Sequence, residues 1–174
     1  MIKVDRIAHV VIKVRDLNKS LDFYTRVIGL KEMGRIDPMV AFLSTGRDHH
    51  ELGIAQVGPD APSAPFYQVG MEHFSFRLNN EDDLREAYQT LLDEKVKIAY
   101  TVNHGVAKSV YFFDPDGNEL EVYCDNSPEE VATFANPYGG MDKLEFAQDQ
   151  PSLMDSIIAA QQEMAAAAEA AAKA

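Results

Sequence analysis

The chain repeats itself at an offset of 64 residues. Laying Ile7 to Ile28 over Met71 to Leu92 puts His9 on His73, Val14 on Leu78, Tyr24 on Tyr88, Val27 on Leu91 and Ile28 on Leu92. In each copy a strand-like run gives way to an amphipathic helix. The first has Arg6 to Val14 as strand, Asp16 or Asn18 as helix cap, an apolar stripe of Leu21, Tyr24, Val27 and Ile28, and Gly29 as the stop. The second has His73 to Leu78 as strand, Asn80 as cap and Leu84, Ala87, Tyr88, Leu91 and Leu92 as stripe. Three further strand-like segments follow each helix. They are Lys31 to Ile36, Val40 to Ser44 and Leu52 to Val57, then Val96 to Thr101, Ser109 to Phe113 and Glu119 to Tyr123. The expected architecture is α+β: two tandem βαβββ modules joined by a connector, 58 to 70, that carries Pro59, Pro62 and Pro65. Modules this small bury too little alone, so they are expected to pair through their sheets. A pseudo-two-fold pairing would bring His9 and His73 to a shared centre.

Charge narrows the partners. Sixteen Lys and Arg stand against 28 Asp and Glu, a formal net charge of -12. Nucleic acid and anionic membranes need a basic footprint that this balance does not supply, which leaves small molecules and proteins. One cysteine, Cys124, cannot form an intrachain disulfide, no apolar run spans a bilayer, and the first residues have no apolar signal core. Cytosol is the expected location.

The segment from Val102 to Glu121 carries the most chemistry. It sets His104, Tyr111 and Glu121 around an Asp114-Pro115-Asp116-Gly117 turn, with short β-branched and aromatic runs on either side that predict a hairpin. Alternation puts Glu119, Glu121 and Tyr123 on one strand face and Leu120 and Val122 on the other. A glutamate between Leu120 and Val122 is costly to bury without a proton, a cation or a metal. Taken alone, the segment reads equally well as a solvated strand face. The repeat supplies partners: His9, His73 and Glu121 make a two-histidine, one-carboxylate set with open coordination, which favours Fe(II), with Mn(II) as the alternative.

With these residues in place, the chain resembles the vicinal oxygen chelate superfamily, specifically its small, single-domain type I extradiol ring-cleavage dioxygenases that act on catechols and dihydroxybiphenyls. The signature runs as His104, five residues, Val110-Tyr111, two residues, Asp114-Pro115, then Gly117 and Glu121, and the resemblance spans Asp5 to Cys124. It implies a single domain over 1 to 126 with a C-terminal extension over 127 to 174. It further implies metal ligation by His9, His73 and Glu121, an acid-base histidine at His50 (His49 being the alternative), and substrate contact by His104 and Tyr111. The implied reaction opens a catechol beside its two hydroxyls, with both atoms of O2 entering the product. Phe42, Phe66, Tyr67, Phe74, Phe76 and Phe134 are candidate pocket walls.

The same scaffold also hosts glyoxalases, epimerases and fosfomycin-modifying transferases. In the two-module, four-ligand glyoxalase or epimerase pattern the last strand of module one supplies an acid matching Glu121. Aligning Glu51-Leu52-Gly53 with Glu119-Leu120-Glu121 puts Gly53 there, whereas a two-residue slip would bring in Glu51. A metal-free module that binds an aromatic ligand is the third possibility. Beyond the repeat, 125 to 150 has no clear period and is expected to wrap the module edges or cover the site mouth, while 152 to 174 predicts a helix over about 152 to 172. Ser152 with Asp155 caps it, and Leu153, Ile157, Gln161, Met164 and Ala168 form one weak face, expected either to pack on the chain's own core or on a neighbour in a homo-oligomer or to end frayed and solvated.

Overall fold

The computed structural model describes residues 1–63 and 69–172; Phe66 and Tyr67, and part of the connector, lie outside them. Its strands form two four-stranded sheets of matching order: β1 (Val10–Val14), β4 (Leu52–Gln56), β3 (Val40–Ser44) and β2 (Lys31–Ile36) in one, and β5 (His73–Arg77), β8 (Glu119–Asp125), β7 (Ala107–Phe113) and β6 (Ile98–Asn103) in the other. In each, the first and last strands of the repeat run parallel and the others antiparallel. The chain divides into two compact units, the first comprising Met1–Ser63 with Asp114–Asp116, the second Ala64–Phe113 with Gly117–Ala174.

The first unit contains β1 (Val10–Val14), α1 (Leu17–Asp22), β2 (Lys31–Ile36), β3 (Val40–Ser44) and β4 (Leu52–Gln56). Asp16 is the cap, its carboxylate accepting from the amides of Asn18 and Lys19. β1 begins at Val10 rather than at Arg6, because pairing with β4 starts at Val10 opposite Leu52 and residues upstream have no ladder to join. The helix also departs from the expected regular stripe. After Asp22 it widens into a π-helical turn, Phe23–Val27, which changes the residues that face inward. Phe23 and Tyr24 are buried, while Leu21, Val27 and Ile28 are only half-buried. Ile12, Val14, Leu17, Leu43, Leu52 and Ile54 complete the core. The Tyr24 hydroxyl donates to Asp114 at 2.9 Å, and Ser20 and Arg15 donate to Asp116 at 3.1 Å.

The second unit contains β5 (His73–Arg77), α2 (Glu81–Asp93), β6 (Ile98–Asn103), β7 (Ala107–Phe113) and β8 (Glu119–Asp125). Asn80 caps α2, whose Leu84, Tyr88 and Leu91 are buried. The segment after β8 is more ordered than its lack of period implies. A capping box of Ser127 and Glu130 starts a short α3 (Pro128–Val131), and a 3-10 turn spans Glu145–Ala147. The extension then covers the outer edge of β6. The Thr101 amide donates to Pro151 at 3.1 Å and the Asn103 amide to Asp142 at 2.7 Å, so backbone groups that an edge strand would leave open are satisfied. Helix α4 (Leu153–Ala172) follows, capped by Ser152 and Asp155. Leu153 packs against Tyr100, Val102 and Tyr111. Of the face expected to be apolar and packed, only Leu153 is half-buried, and Ile157 and Met164 are exposed. Among the described residues no helix is long and apolar enough to cross a membrane.

Candidate functional site

Two groups of the expected site residues emerge, one in each unit. In the second unit, the antiparallel pairing of β7 and β8 sets Tyr111 directly opposite Glu121. Leu120 and Val122 turn into the core, and Glu121 itself is only 9% exposed. Burial alone would raise its carboxyl; contact with His73, followed by the nearby hydroxyls of Ser109 and Tyr111, outweighs this and holds it below the usual carboxylate range. His73 Nε2 lies 3.5 Å from the Glu121 carboxylate, beyond ordinary hydrogen-bond length. The contact still raises the imidazole above its usual value, against burial and with help from Glu72 and Glu119.

Around this pair stand Tyr111 and His104. The Tyr111 hydroxyl is 3.1 Å from His104 Nε2, and the Tyr111 ring meets His73 edge-on at 5.1 Å. Burial, then the Glu121 charge, pushes the Tyr111 hydroxyl up, so it stays protonated at physiological pH. Burial lowers His104, with the His73 charge adding and Glu121 opposing, so its imidazole is neutral there and can donate at one nitrogen and accept at the other. Ser75, His104, Val106, Ala107, Glu121, Tyr123 and Tyr138 line a cavity of about 300 Å³ beside the group.

In the first unit, His9 is exposed just ahead of β1, and its ring is 4.5 Å from that of His50. His50 also meets Phe42 at 5.1 Å and His49 at 4.4 Å. The Nδ1 atoms of His49 and His50 are 2.6 Å apart, so one nitrogen carries the proton that the other accepts. Desolvation, then the neighbouring charges of His49 and His9, lowers His50. A second cavity of about 280 Å³ is lined by Met33, Gly34, Phe42, His49 and His50.

Strand register decides which residue of the first sheet matches Glu121. In the second sheet His73 pairs with Glu119 and Ser75 with Glu121. In the first, Val11 pairs with Gly53, and Val11 is the repeat counterpart of Ser75. Gly53 therefore stands where Glu121 stands, in the alignment that needs no slip. A Cβ on Gly53 would come within 3.1 Å of Val11 Cγ2, so the position is filled without a side chain. The Glu51 carboxylate instead accepts from the Thr45 amide and hydroxyl, each at 2.6 Å, and from Ser44 at 3.2 Å. It closes the loop between β3 and β4.

Within either unit, among the described residues, no three His, Cys, Asp or Glu side chains form a group able to hold a metal ion. His9 belongs to the first unit and His73 and Glu121 to the second. The second-unit pair nevertheless suits a cation. Two donors 3.5 Å apart fit neighbouring positions on one ion, given ligand distances near 2.1 Å. The buried His73 Nδ1 has no hydrogen-bond partner among the described residues, so neither ring nitrogen is engaged in a good protein hydrogen bond.

Two aromatic residues of the site carry no mark in the sequence. Tyr100, 7% exposed, stacks on Tyr111 with centroids 4.2 Å apart and planes 17° from parallel. It lies directly opposite Tyr111 across β6 and β7, and the irregularity between Ile98 and Tyr100 displaces the register that would have revealed the pair. Tyr138 reaches the cavity from the non-periodic extension, where no spacing rule marks it.

The profile of the Glyoxalase/Bleomycin resistance protein/Dioxygenase superfamily matches residues 6–122. The chain is similar to biphenyl-2,3-diol 1,2-dioxygenase 3 of Rhodococcus globerulus, with 32% identity over 74% of this chain and 69% of that protein. It is also similar to the metallothiol transferase FosB of Lysinibacillus sphaericus, with 32% identity over 69% of this chain and 82% of that protein. A glyoxalase/dioxygenase crystal structure from Nostoc punctiforme covers 71% of this chain and 92% of its own, with a TM-score of 0.61 and 23% identity, a likeness of fold. A match that runs from ahead of β1 into β8 spans both repeats, and the chain belongs to the Glyoxalase/Bleomycin resistance protein/Dioxygenase superfamily.

Proposed function

We propose that the protein is an Fe(II)-dependent extradiol dioxygenase, which opens the ring of a catechol-type substrate beside its two hydroxyls and places both atoms of O2 in the product. The observation that carries this reading is the asymmetry between Glu121 and Gly53. One sheet offers a carboxylate next to a histidine, and the matching position of the other has no side chain. A three-donor set of His9, His73 and Glu121 leaves coordination open for a chelating substrate and a gas, where a fourth protein ligand would narrow it. The similarity to a biphenyl-diol dioxygenase agrees with this choice. Iron, when bound, supplies Lewis acidity and redox chemistry next to the ring.

The chain's own groups supply the remainder. Tyr111, protonated and 3.1 Å from neutral His104, forms a donor–acceptor pair that orients the diol edge and receives a phenolic proton, which binding must remove from a group with a pKa near 10. Tyr100 stacks under Tyr111 and fixes its ring, so the hydroxyl is aimed before substrate arrives. His50, coupled to His49 at 2.6 Å, is the acid that returns a proton as the ring opens. Residues 1–126 act as one catalytic domain and 127–174 as its extension. The exposed Met154, Ile157, Ile158 and Met164 of α4 are the apolar surface of a homo-oligomer.

Anaerobic loading with Fe(II), followed by a panel of catechols read by absorbance and O2 uptake, tests the reading. A yellow ring-opened product with one O2 consumed per diol is expected. Metal-dependent isomerase activity without O2 uptake would move the protein to the glyoxalase and epimerase side of its superfamily, and diol binding without turnover would make it a binding module.

A further inference from the structure

The C-terminal extension approaches the site through a short loop whose backbone is tightly held. The Gly140 amide donates to the His104 carbonyl at 3.1 Å, and the Gly139 amide to the Asn136 carbonyl at 3.0 Å. The Asn136 side chain accepts from the Tyr138 amide at 3.1 Å. Close packing holds it from the other side. Gly140 is buried, and a Cβ there would stand 2.6 Å from the His104 carbonyl carbon. Gly105, at φ +95°, occupies the left-handed region that favours glycine, and a Cβ on it would meet the Pro137 carbonyl oxygen at 2.7 Å. Asn126 ties the opposing turn together by donating to Asn103 Oδ1 at 2.8 Å and to the Gly105 carbonyl at 3.0 Å.

On this fixed loop Tyr138 is 80% exposed. Folding gains little from an aromatic ring left in water on a segment that hydrogen bonds already hold. The same ring lines the cavity that contains His104 and Glu121, with Val106 and Ala107 as its apolar walls. One end of the cavity is thus polar and reactive, and the rest presents the rings of Tyr123 and Tyr138 and two aliphatic surfaces, the lining expected for a flat apolar ring with a polar edge.

We propose that Tyr138 is a specificity-determining residue: it forms an aromatic wall of the substrate pocket and meets the ring of an aromatic diol whose hydroxyls face His104 and Glu121. This rests on the ring-cleavage reading above, and assigns to the C-terminal extension the selection of the ring. The loop reaches the site through the backbone contact of Gly140 with His104, so the wall and the diol-binding histidine are held as one piece.

The test uses the full chain loaded anaerobically with Fe(II). 4-Nitrocatechol binding is followed by its absorbance change without O2, and kcat and KM are measured for catechol and 3-phenylcatechol. Loss of one ring contact predicts that Tyr138→Ala weakens 4-nitrocatechol binding by about three- to tenfold and raises KM for 3-phenylcatechol comparably, with kcat changing less. Tyr138→Phe should recover most of the lost affinity, since the wall needs a ring rather than a hydroxyl. Because the side chain is exposed, Tyr138→Ala removes no core packing, and a thermal melt establishes that its fold is intact. Binding and KM within about twofold of wild type for Tyr138→Ala would overturn the proposal while the dioxygenase reading stands. A fall in kcat with KM unchanged would overturn it as well. A wild-type protein that neither binds nor cleaves any diol would overturn the reading, and the wall with it.

Discussion

The two sheets share strand order, direction and the parallel pairing of first with last strand, yet their polar groups are treated in opposite ways. In the second sheet Glu121 is buried between core residues and faces His73, with Tyr111 opposite it and the hydroxyl of Tyr111 on His104. In the first, the matching position is glycine, the neighbouring Glu51 is spent on closing a loop, and His9 is exposed beside His49 and His50. The frame, which depends on many apolar side chains, is common to both sheets, and the chemistry differs at single register positions. A buried carboxylate survives only where donors or a cation offset its desolvation, and the second sheet surrounds Glu121 with such groups.

The comparison breaks most sharply at Glu121. On the proposed reading, Glu121→Leu removes a metal ligand and lowers kcat/KM with a catechol by more than about a thousandfold, while its apolar replacement keeps the thermal midpoint close to wild type. A variant that still turns over at a tenth of the wild-type rate would place the carboxylate outside the chemistry. Tyr111→Phe leaves the stack on Tyr100 in place but removes the hydroxyl facing His104; a loss of about a hundredfold or more in kcat/KM is expected from steady-state kinetics. An unaffected rate would return Tyr111 to the role of a core aromatic.

Smaller effects sharpen the contrast at the level of packing. Gly53→Ala places a methyl 3.1 Å from Val11 and should cost about 1 kcal/mol in denaturant unfolding. Gly140→Ala has no flexible side chain to push aside, only the Asn103 and His104 backbone, and should cost about 2 kcal/mol. Equal costs would show that the extension is no more tightly held than the sheet. The smallest effect concerns the charges that tie the extension to β7. Lys108 binds Glu130 at 2.6 Å and Glu81 at 2.5 Å, and its hydrogen bond holds the Glu130 carboxyl down to about 2, from an ordinary value of 4.5. A depressed folded-state pKa contributes stability that is present above 4.5 and lost as pH falls toward 2. Glu130 is 46% exposed, so screening keeps this contribution under about 1 kcal/mol. Lys108→Met should flatten that part of the acid-unfolding curve; an identical slope would mean the pair adds nothing.

Much of this frame was legible in the sequence because its signals are local or repeated. The 64-residue offset carried the βαβββ units, and alternation around Glu121 carried the faces of β8, with Leu120 and Val122 inward. What stayed hidden depended on geometry that composition does not encode. The π-helical turn at Phe23–Val27 moved the α1 stripe, the late start of β1 followed from where β4 begins, and the choice of β6 as the edge the extension covers rests on backbone hydrogen bonds at Asp142 and Pro151 that any residue type can make. Within the candidate site, His104, Tyr111 and Glu121 stood out by residue type and spacing. Tyr100 and Tyr138 did not, since one is revealed only by register across an irregular strand pair and the other only by a loop with no period.

The claim that metal chemistry belongs to the carboxylate of the second sheet, with its counterpart in the first left open, meets its most direct test in iron content. Wild type, Glu121→Gln and Glu51→Gln are loaded anaerobically with Fe(II), freed of excess metal and measured for iron per chain. The account predicts that Glu51→Gln keeps the wild-type content and Glu121→Gln loses most of it. Loss of iron in Glu51→Gln would contradict it, by making Glu51 a fourth ligand and closing the position that O2 and a chelating diol require.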